Sequence, residues 1–365
     1  MTPTSPALRF LAFYLPQFHP IPENDAWWGT GFTEWRNVAA ARPAFRGHDQ
    51  PHVPADLGFY DLRIPEVREA QADLAKAHGI DGFVYYHYWF NGRRLLERPF
   101  DEVLASGSPD LPFALCWANE NWTRVWDGSA REVLLAQEHS EADDRAHLRS
   151  LVPALRDERY IRVDGRPLLM VYRTGLLPDP RRTAAAWRDE ARRAGLGDLY
   201  LARVEALGEK ADPAELGFDA AIEFAPDAAD VPAHLGDSRV WEPLRKHGLA
   251  PGRLRHHVVP YAGVVERLST RARPEYLRYP CVTPSWDNSA RRKHSALVLQ
   301  GSTPEQYGAW LAKTCERFEP PSATENVVFV NAWNEWAEGN HLEPDQRWGK
   351  AYLEAHREVA QRYRG

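Results

Sequence analysis

Glu335 and Glu338 stand three positions apart in the stretch VNAWNEWAEGNHLEP, residues 330–344, with Trp333, Asn334 and Trp336 around them. In a helix-like segment, side chains at this spacing have Cβ atoms about 5–6 Å apart. Retaining glycosidases hold their two carboxyl groups at about 5–5.5 Å. A like charge nearby and apolar indole walls both raise a carboxyl pKa, so such a pair can keep one acid neutral and the other ionised. That is the equipment of general acid–base catalysis at a glycosidic bond. The bland alternative is a solvated Glu pair at a helix start, favoured there by the macrodipole. The placement directly after the apolar run Val327–Val330, with Trp on both sides, favours the chemical reading.

Other residues with chemical potential occur in the same kind of place, just past an apolar run. Tyr14 and Gln17 lie in FYLPQFHP, and Glu34 and Trp35 in GFTEWRNV. Tyr86, His87 and Trp89 lie in YYHYWFNGRR, and Trp117, Asn119, Glu120 and Trp122 in CWANENWTRVWDG. Tyr172 lies in VYRT, Trp286, Asp287 and Asn288 in SWDNSARR, and Asn334 and Trp336 in the stretch already quoted. Trp126 and Trp333 belong to the same pattern. Flat apolar rings beside hydrogen-bonding side chains suit the faces and edges of sugars, so all of these are expected to line a carbohydrate pocket. Asp287 reads equally as an Asx-turn. Arg291 or Arg292 can bind a carboxylate, a phosphate or a neighbouring acid. Glu205 and Glu223 are open between substrate contact and internal ion pair, and Glu34 between reaching over the site and capping a helix. His87 reads as a pocket residue. It, His19, His256 and His257 lack the HxH or HExxH spacing of a metal site, so no metal is expected. No GxSxG elbow is present and no Cys is flanked as a nucleophile, which argues against acyl transfer.

These residues need a scaffold that gathers strand ends. Eight short apolar runs recur: Phe10–Leu15, Gly82–Tyr86, Phe113–Trp117, Leu168–Tyr172, Tyr200–Val204, Ala220–Phe224, Cys281–Pro284 and Val327–Asn331. Their scant polar alternation fits parallel strands covered on both faces. Between them lie helix patterns over 61–80, 179–197 and 303–318, the last with a Thr cap and Pro in its first turn. The alternation predicts an α/β fold, a (β/α)8 TIM barrel forming a single catalytic domain over 1–365, with insertions at 16–60 and 225–279. The site then falls at the C-terminal ends of the strands. A doubly wound sheet is the competing arrangement, but no Gly-rich phosphate loop follows any strand, which also leaves no nucleotide cofactor expected.

Bulk properties agree. The chain has 365 residues, 44% of them hydrophobic, and a net charge of −6 that argues against an electrostatic nucleic-acid partner. No apolar run has membrane-spanning length. Three scattered Cys form no disulfide framework. A cytoplasmic protein is expected, with its oligomeric state left open.

The tail NEWAEGNHLEP resembles glycoside hydrolase family 99, in which an EWxEG stretch follows the last strand. The stretches FYLPQFHPIPENDAWWGTGFTEWRNV, QPHVPADLGFYDLR, GFVYYHYWFNGRRLLERP, CWANENWTRVWDG, SWDNSARR and AWNEWAEGNHLEP resemble the family 99-like WbsX proteins, often called glycosyltransferases of polysaccharide gene clusters. The resemblance implies a retaining, α-mannosidase-like barrel. In it Glu335 would take the proton from the sugar 2-hydroxyl, giving a 1,2-anhydro sugar, and Glu338 would be the general acid/base. It also implies an alternative, a glycosyltransferase or transglycosylase of O-antigen or capsular polysaccharide biosynthesis.

Overall fold

The computed structural model describes residues 7–124, 129–233 and 238–364; Trp126 lies outside them. Eight parallel strands form the barrel. They are β1 (Arg9–Tyr14), β2 (Gly82–Phe90), β3 (Phe113–Trp117), β4 (Arg166–Val171), β5 (Tyr200–Glu205), β6 (Ala220–Glu223), β7 (Arg278–Tyr279 and Cys281–Val282) and β8 (Val327–Val330). Each pairs with the next, and β8 returns to β1 with Arg9 opposite Val327. The expected TIM barrel is thus the observed fold. Strand β7 departs from the expected continuous run. Pro280 lacks an N–H and divides it, so that its first half pairs with β6 and its second with β8.

Helices α1 (Pro65–Ala77), α2 (Arg98–Ser106), α3 (Glu141–Arg156), α4 (Pro180–Arg193), α5 (Tyr261–Thr270), α6 (Pro304–Arg317) and α7 (Ala351–Tyr363) cover the outside. Their starts follow from local chemistry. Ser140, Asp179 and Thr303 each accept a hydrogen bond from the backbone N–H three residues on, satisfying a donor that the first turn leaves open. Between β5 and β6 the expected helix is replaced by a single 3-10 turn, Pro213–Leu216.

Successive strand residues face opposite ways. On β1, Phe10 and Tyr14 meet the helices, through His356 of α7 and Gln71 of α1, whereas Phe13 faces inward onto Tyr86 and Phe329. On β2, Tyr85 and His87 meet the helices, and Tyr86 and Tyr88 face the barrel mouth. The outer layer is densely aromatic. Trp117, His147 of α3 and Trp187 of α4 pack edge to face or tilted, all within 2% of full burial. Truncating either Trp to Ala at such a position costs about 3–5 kcal/mol.

Candidate active site

Past β8 the backbone makes a tight hairpin. Asn334 and Glu335 pair antiparallel with His341 and Asn340, and Trp336–Glu338 between them form one 3-10 turn. A 3-10 turn has three residues per revolution, so side chains three apart eclipse. Glu335 and Glu338 therefore project to one side. Gly339 closes the turn at φ 54°, in the left-handed region, and a Cβ there would lie 3.0 Å from the Cβ of Asp287 and 3.1 Å from its nitrogen. The Asp287 N–H donates to the Glu338 carbonyl at 2.6 Å, which locks the β7 and β8 loops together.

Both carboxylates converge on one guanidinium. Arg291, from the β7 loop, reaches Glu338 at 2.7 Å through Nη1, Glu335 at 2.9 Å through Nη2 and Glu34 at 3.2 Å through Nε. Burial works against the Arg291 charge, but Glu34, Glu338 and Glu335 together hold it protonated. Burial pushes the Glu335 carboxyl up to about 8; Arg291 opposes this, and Glu338 and Glu34 add to it. Burial likewise raises Glu34 against the pull of Arg291. Three carboxylates against one cation in a dry site cannot all ionise cheaply, so the cluster keeps a proton near neutral pH. The side chain of Glu338 is 19% exposed, against 8% for Glu335 and none for Glu34. Glu338 is thus the acid that solvent reaches.

Tyrosines line this cluster. Burial raises the Tyr86 hydroxyl first, then Tyr172, Cys116 and both carboxylates of the pair. Tyr88 lies near Glu335, Arg291 and Glu34 and accepts a hydrogen bond from Gln17 at 3.1 Å. Tyr172 stands edge-on to Tyr86 and to Phe224, which meets Trp286. Glu120, paired with Arg173 at 2.9 Å, feels the charge of Glu338, and Trp122 packs on Tyr88.

The structure separates the expected pocket residues into two groups. Gln17, Glu34, Tyr86, Glu120, Trp122, Tyr172 and Trp286 gather around or beside the glutamates. The others face elsewhere and are corrected. The Tyr14 hydroxyl donates to Gln71 in the helix layer. His87, Trp89 and Trp117 turn outward onto His147 of α3, with the His87 and His147 Nε2 atoms 2.9 Å apart. Asn119 is fully buried and bonds both backbone groups of Arg173. Asn334 does the same for Leu15, tying the hairpin to β1. Trp35 packs on Phe18, Tyr60 and Trp336. Asp287 is held by His48 at 2.7 Å. Burial works against its charge, but the His48 and Ser289 contacts keep it below the usual carboxylate range. Asn288 accepts from the Leu297 N–H. Glu205 and Glu223 form an internal network with Arg271 and Arg278. The expected tryptophan wall is therefore a tyrosine wall backed by indoles. Cavities of about 310 and 200 Å³ lie elsewhere; the second meets the site only along Gly339, Asp287 and Trp286.

Two contributors escaped the sequence reading. Tyr88 shares a face with Tyr86, so strand alternation was the available signal. Glu343 lies behind the hairpin and accepts from Trp336 at 2.6 Å, Gln71 at 2.6 Å and Tyr60 at 2.8 Å. Burial pushes its carboxyl up to about 7, against those hydrogen bonds. It anchors Trp336, which stacks on His341 at 3.7 Å and fixes the turn between the two acids.

Residues 10–356 match the family described as Glycosyltransferase WbsX. The chain belongs to the WbsX family. A relative from Xanthomonas campestris pv. campestris, strain ATCC 33913, described as uncharacterized protein WxcX, is 46% identical over 360 residues. That alignment takes in 98% of this chain and 50% of the relative, and WxcX of strain B100 gives the same figures. This WbsX chain thus spans about half the length of the curated relatives it matches. Among solved structures, a glycoside hydrolase-like protein superposes with TM-score 0.61 at 15% identity, covering 98% of this chain and 94% of the other. The GH99 endo-alpha-mannosidase of Bacteroides thetaiotaomicron gives 0.57 at 13% identity, covering 98% and 97%. The WbsX chain shares their fold. Among the described residues, no helix is long and apolar enough to cross a membrane.

Proposed function

We propose that this WbsX-family chain is a retaining, α-mannosidase-like glycoside hydrolase acting on a bacterial polysaccharide or oligosaccharide, with 1–365 as its catalytic unit. Glu335 takes the proton of the sugar 2-hydroxyl, and that oxygen attacks the anomeric carbon to form a 1,2-anhydro sugar. Glu338 gives its proton to the departing glycosidic oxygen. It then takes a proton from water, which opens the three-membered ring at the anomeric carbon, while Glu335 returns a proton to the 2-oxygen. A base with a pKa of about 8 suits proton removal from a hydroxyl better than an ordinary carboxylate does. Arg291 holds both carboxylates in register and limits how far burial suppresses the ionisation of Glu335. Glu120 and Trp122, both partly exposed, are the polar and aromatic groups open to an incoming sugar, whereas Gln17, Glu34 and Trp286 are buried and would shape the pocket from within.

The observation that carries this reading is the convergence of Glu335 and Glu338 on one guanidinium at a tyrosine-lined barrel mouth. The shared fold with a solved endo-alpha-mannosidase supports it. Proton NMR of the first sugar released from a panel of α-mannosides and other aryl α-glycosides tests it: the account expects the α anomer to form before mutarotation. Release of the β anomer would overturn the mechanism. The family description favours a second reading, transfer to an acceptor sugar in polysaccharide assembly. Calorimetry with nucleotide sugars separates the two. Saturable binding supports transfer from an activated donor, and no binding supports hydrolysis.

A further inference from the structure

Behind the active-site hairpin, two imidazoles and a carboxylate converge without any role in the reaction proposed above. The Nδ1 of His52 lies 2.9 Å from the Nε2 of His341, with the rings almost perpendicular at 89°. An Asp345 carboxylate oxygen is 3.9 Å from the same Nε2, and the three ligand-type atoms all lie within 4.8 Å of one another. They border the cavity of about 200 Å³, beside Asp49 and His48.

The backbone holds all three in place. Segments 53–55 and 344–346 run antiparallel, with the Ala55 N–H donating to the Pro344 carbonyl and the Gln346 N–H to the Val53 carbonyl, each at 2.9 Å. Pro54 bridges Asp345 directly. His341 is fixed by its pairing with Asn334 and by its stack on Trp336. Its Nδ1 lies 2.9 Å from the Glu343 carbonyl, which can only accept. That leaves Nε2 as the ring's lone pair, pointing at His52, the arrangement by which protein metal ligands are commonly oriented. One oxygen of Asp345 accepts from the N–H groups of Arg347 and Trp348, and the other faces His341.

From this convergence we infer that His52, His341 and Asp345 bind one divalent transition cation, of the zinc class, that staples the first long loop to the chain just past the active-site hairpin. Two imidazoles and one carboxylate are a borderline ligand set that suits Zn²⁺ over Mg²⁺ or Ca²⁺. Tetrahedral bonds of about 2.0–2.1 Å place ligand atoms about 3.3–3.4 Å apart. The two nitrogens therefore open by a few tenths of an ångström, while Asp345 closes in by about 0.5 Å on His341 and by up to about 1.5 Å on His52, a rotamer-scale movement. As the cation enters, the proton on His52 Nδ1 is given up to solvent and Nε2 of the same ring takes one, so His52 binds as a neutral imidazole. This inference stands apart from the assignment of Glu335 and Glu338, and neither depends on the other.

The test uses the full chain without an affinity tag, stripped with a chelator and titrated calorimetrically with Zn²⁺ alone. Binding of one equivalent is expected, together with a rise in melting temperature that grows with the Zn²⁺ concentration. His52→Ala and Asp345→Asn are each expected to weaken binding at least tenfold and to shrink that rise. His247→Ala, altering an exposed histidine, is expected to change neither. Circular dichroism of the metal-free variants separates loss of a ligand from loss of folding. Visible absorption of the Co²⁺-loaded wild type adds a readout of coordination that both ligand variants should lose. No one-equivalent binding by the wild type would overturn the inference. So would undiminished binding in both His52→Ala and Asp345→Asn.

Discussion

Arg291 decides the electrostatics of the site. Removing it leaves buried carboxylates without a counter-ion, a change that costs about 3–5 kcal/mol when they are ionised. Arg291→Met should therefore be destabilised by about that amount at pH 9 and by less at pH 5, where protonated acids need no partner. Urea unfolding at the two pH values checks this. Activity gives a second view. The reaction needs the one proton that the buried cluster holds, so kcat/KM should fall as pH rises through a midpoint near 8, where the cluster loses it. Arg291→Lys should move that midpoint upward if the ammonium neutralises the pair less well. Glu335 and Glu343 also shape stability. Their folded pKa values, about 8 and about 7, lie above the ordinary 4.5. The native state therefore binds more protons than the unfolded chain between about pH 4.5 and 8, so this contribution is full below 4.5 and lost as pH rises through 7 and 8. Glu343→Gln should flatten the part of that slope between pH 5 and 7, measured as unfolding free energy against pH. At this scale the sequence was partly legible. The two acids stood out by type, spacing and position. The three-way contact of Arg291 did not, because Glu34 lies 257 residues and Glu335 44 residues from Arg291 and no local pattern announces their meeting.

At the scale of elements, the hairpin 334–341 and the β7 loop work as one unit through the Asp287 N–H and the close approach at Gly339. Gly339→Ala should cost about 1–2 kcal/mol for the left-handed backbone alone, with a further loss as Asp287 is pushed away from the turn. Because Glu338 immediately precedes it, the variant should also lose activity beyond its loss of stability. Comparing kcat at a temperature where both proteins are folded isolates that effect. The elements themselves were readable from apolar runs, capping residues and Pro placement, as at Thr303 and Pro304. Side-chain direction was harder to read. His87 and Trp89 look like neighbours of Tyr86 in the sequence, yet strand alternation sends them to the helix layer, while Tyr88 reaches the mouth. Asn119 and Asn334 were misplaced for another reason. A buried Asn satisfies backbone groups, and only the fold reveals which ones are left open.

For the whole molecule, the closed barrel explains how residues from Gln17 to Glu338 meet at one end of the sheet. The eightfold recurrence of buried strands made that architecture legible, because parallel strands covered on both faces carry their own apolar signature. The substrate was not legible, since loops that follow the strands define it and long-range packing shapes them. The account rests on Glu338 as the proton donor at the glycosidic oxygen, and one comparison addresses it most directly: kcat/KM of wild type and Glu338→Gln on α-glycosides with a poor leaving group, both proteins shown to be folded. The account predicts a loss of about 10²–10⁴-fold, shrinking as the leaving group improves and needs less protonation. Equal activity of the two proteins across the series would contradict it.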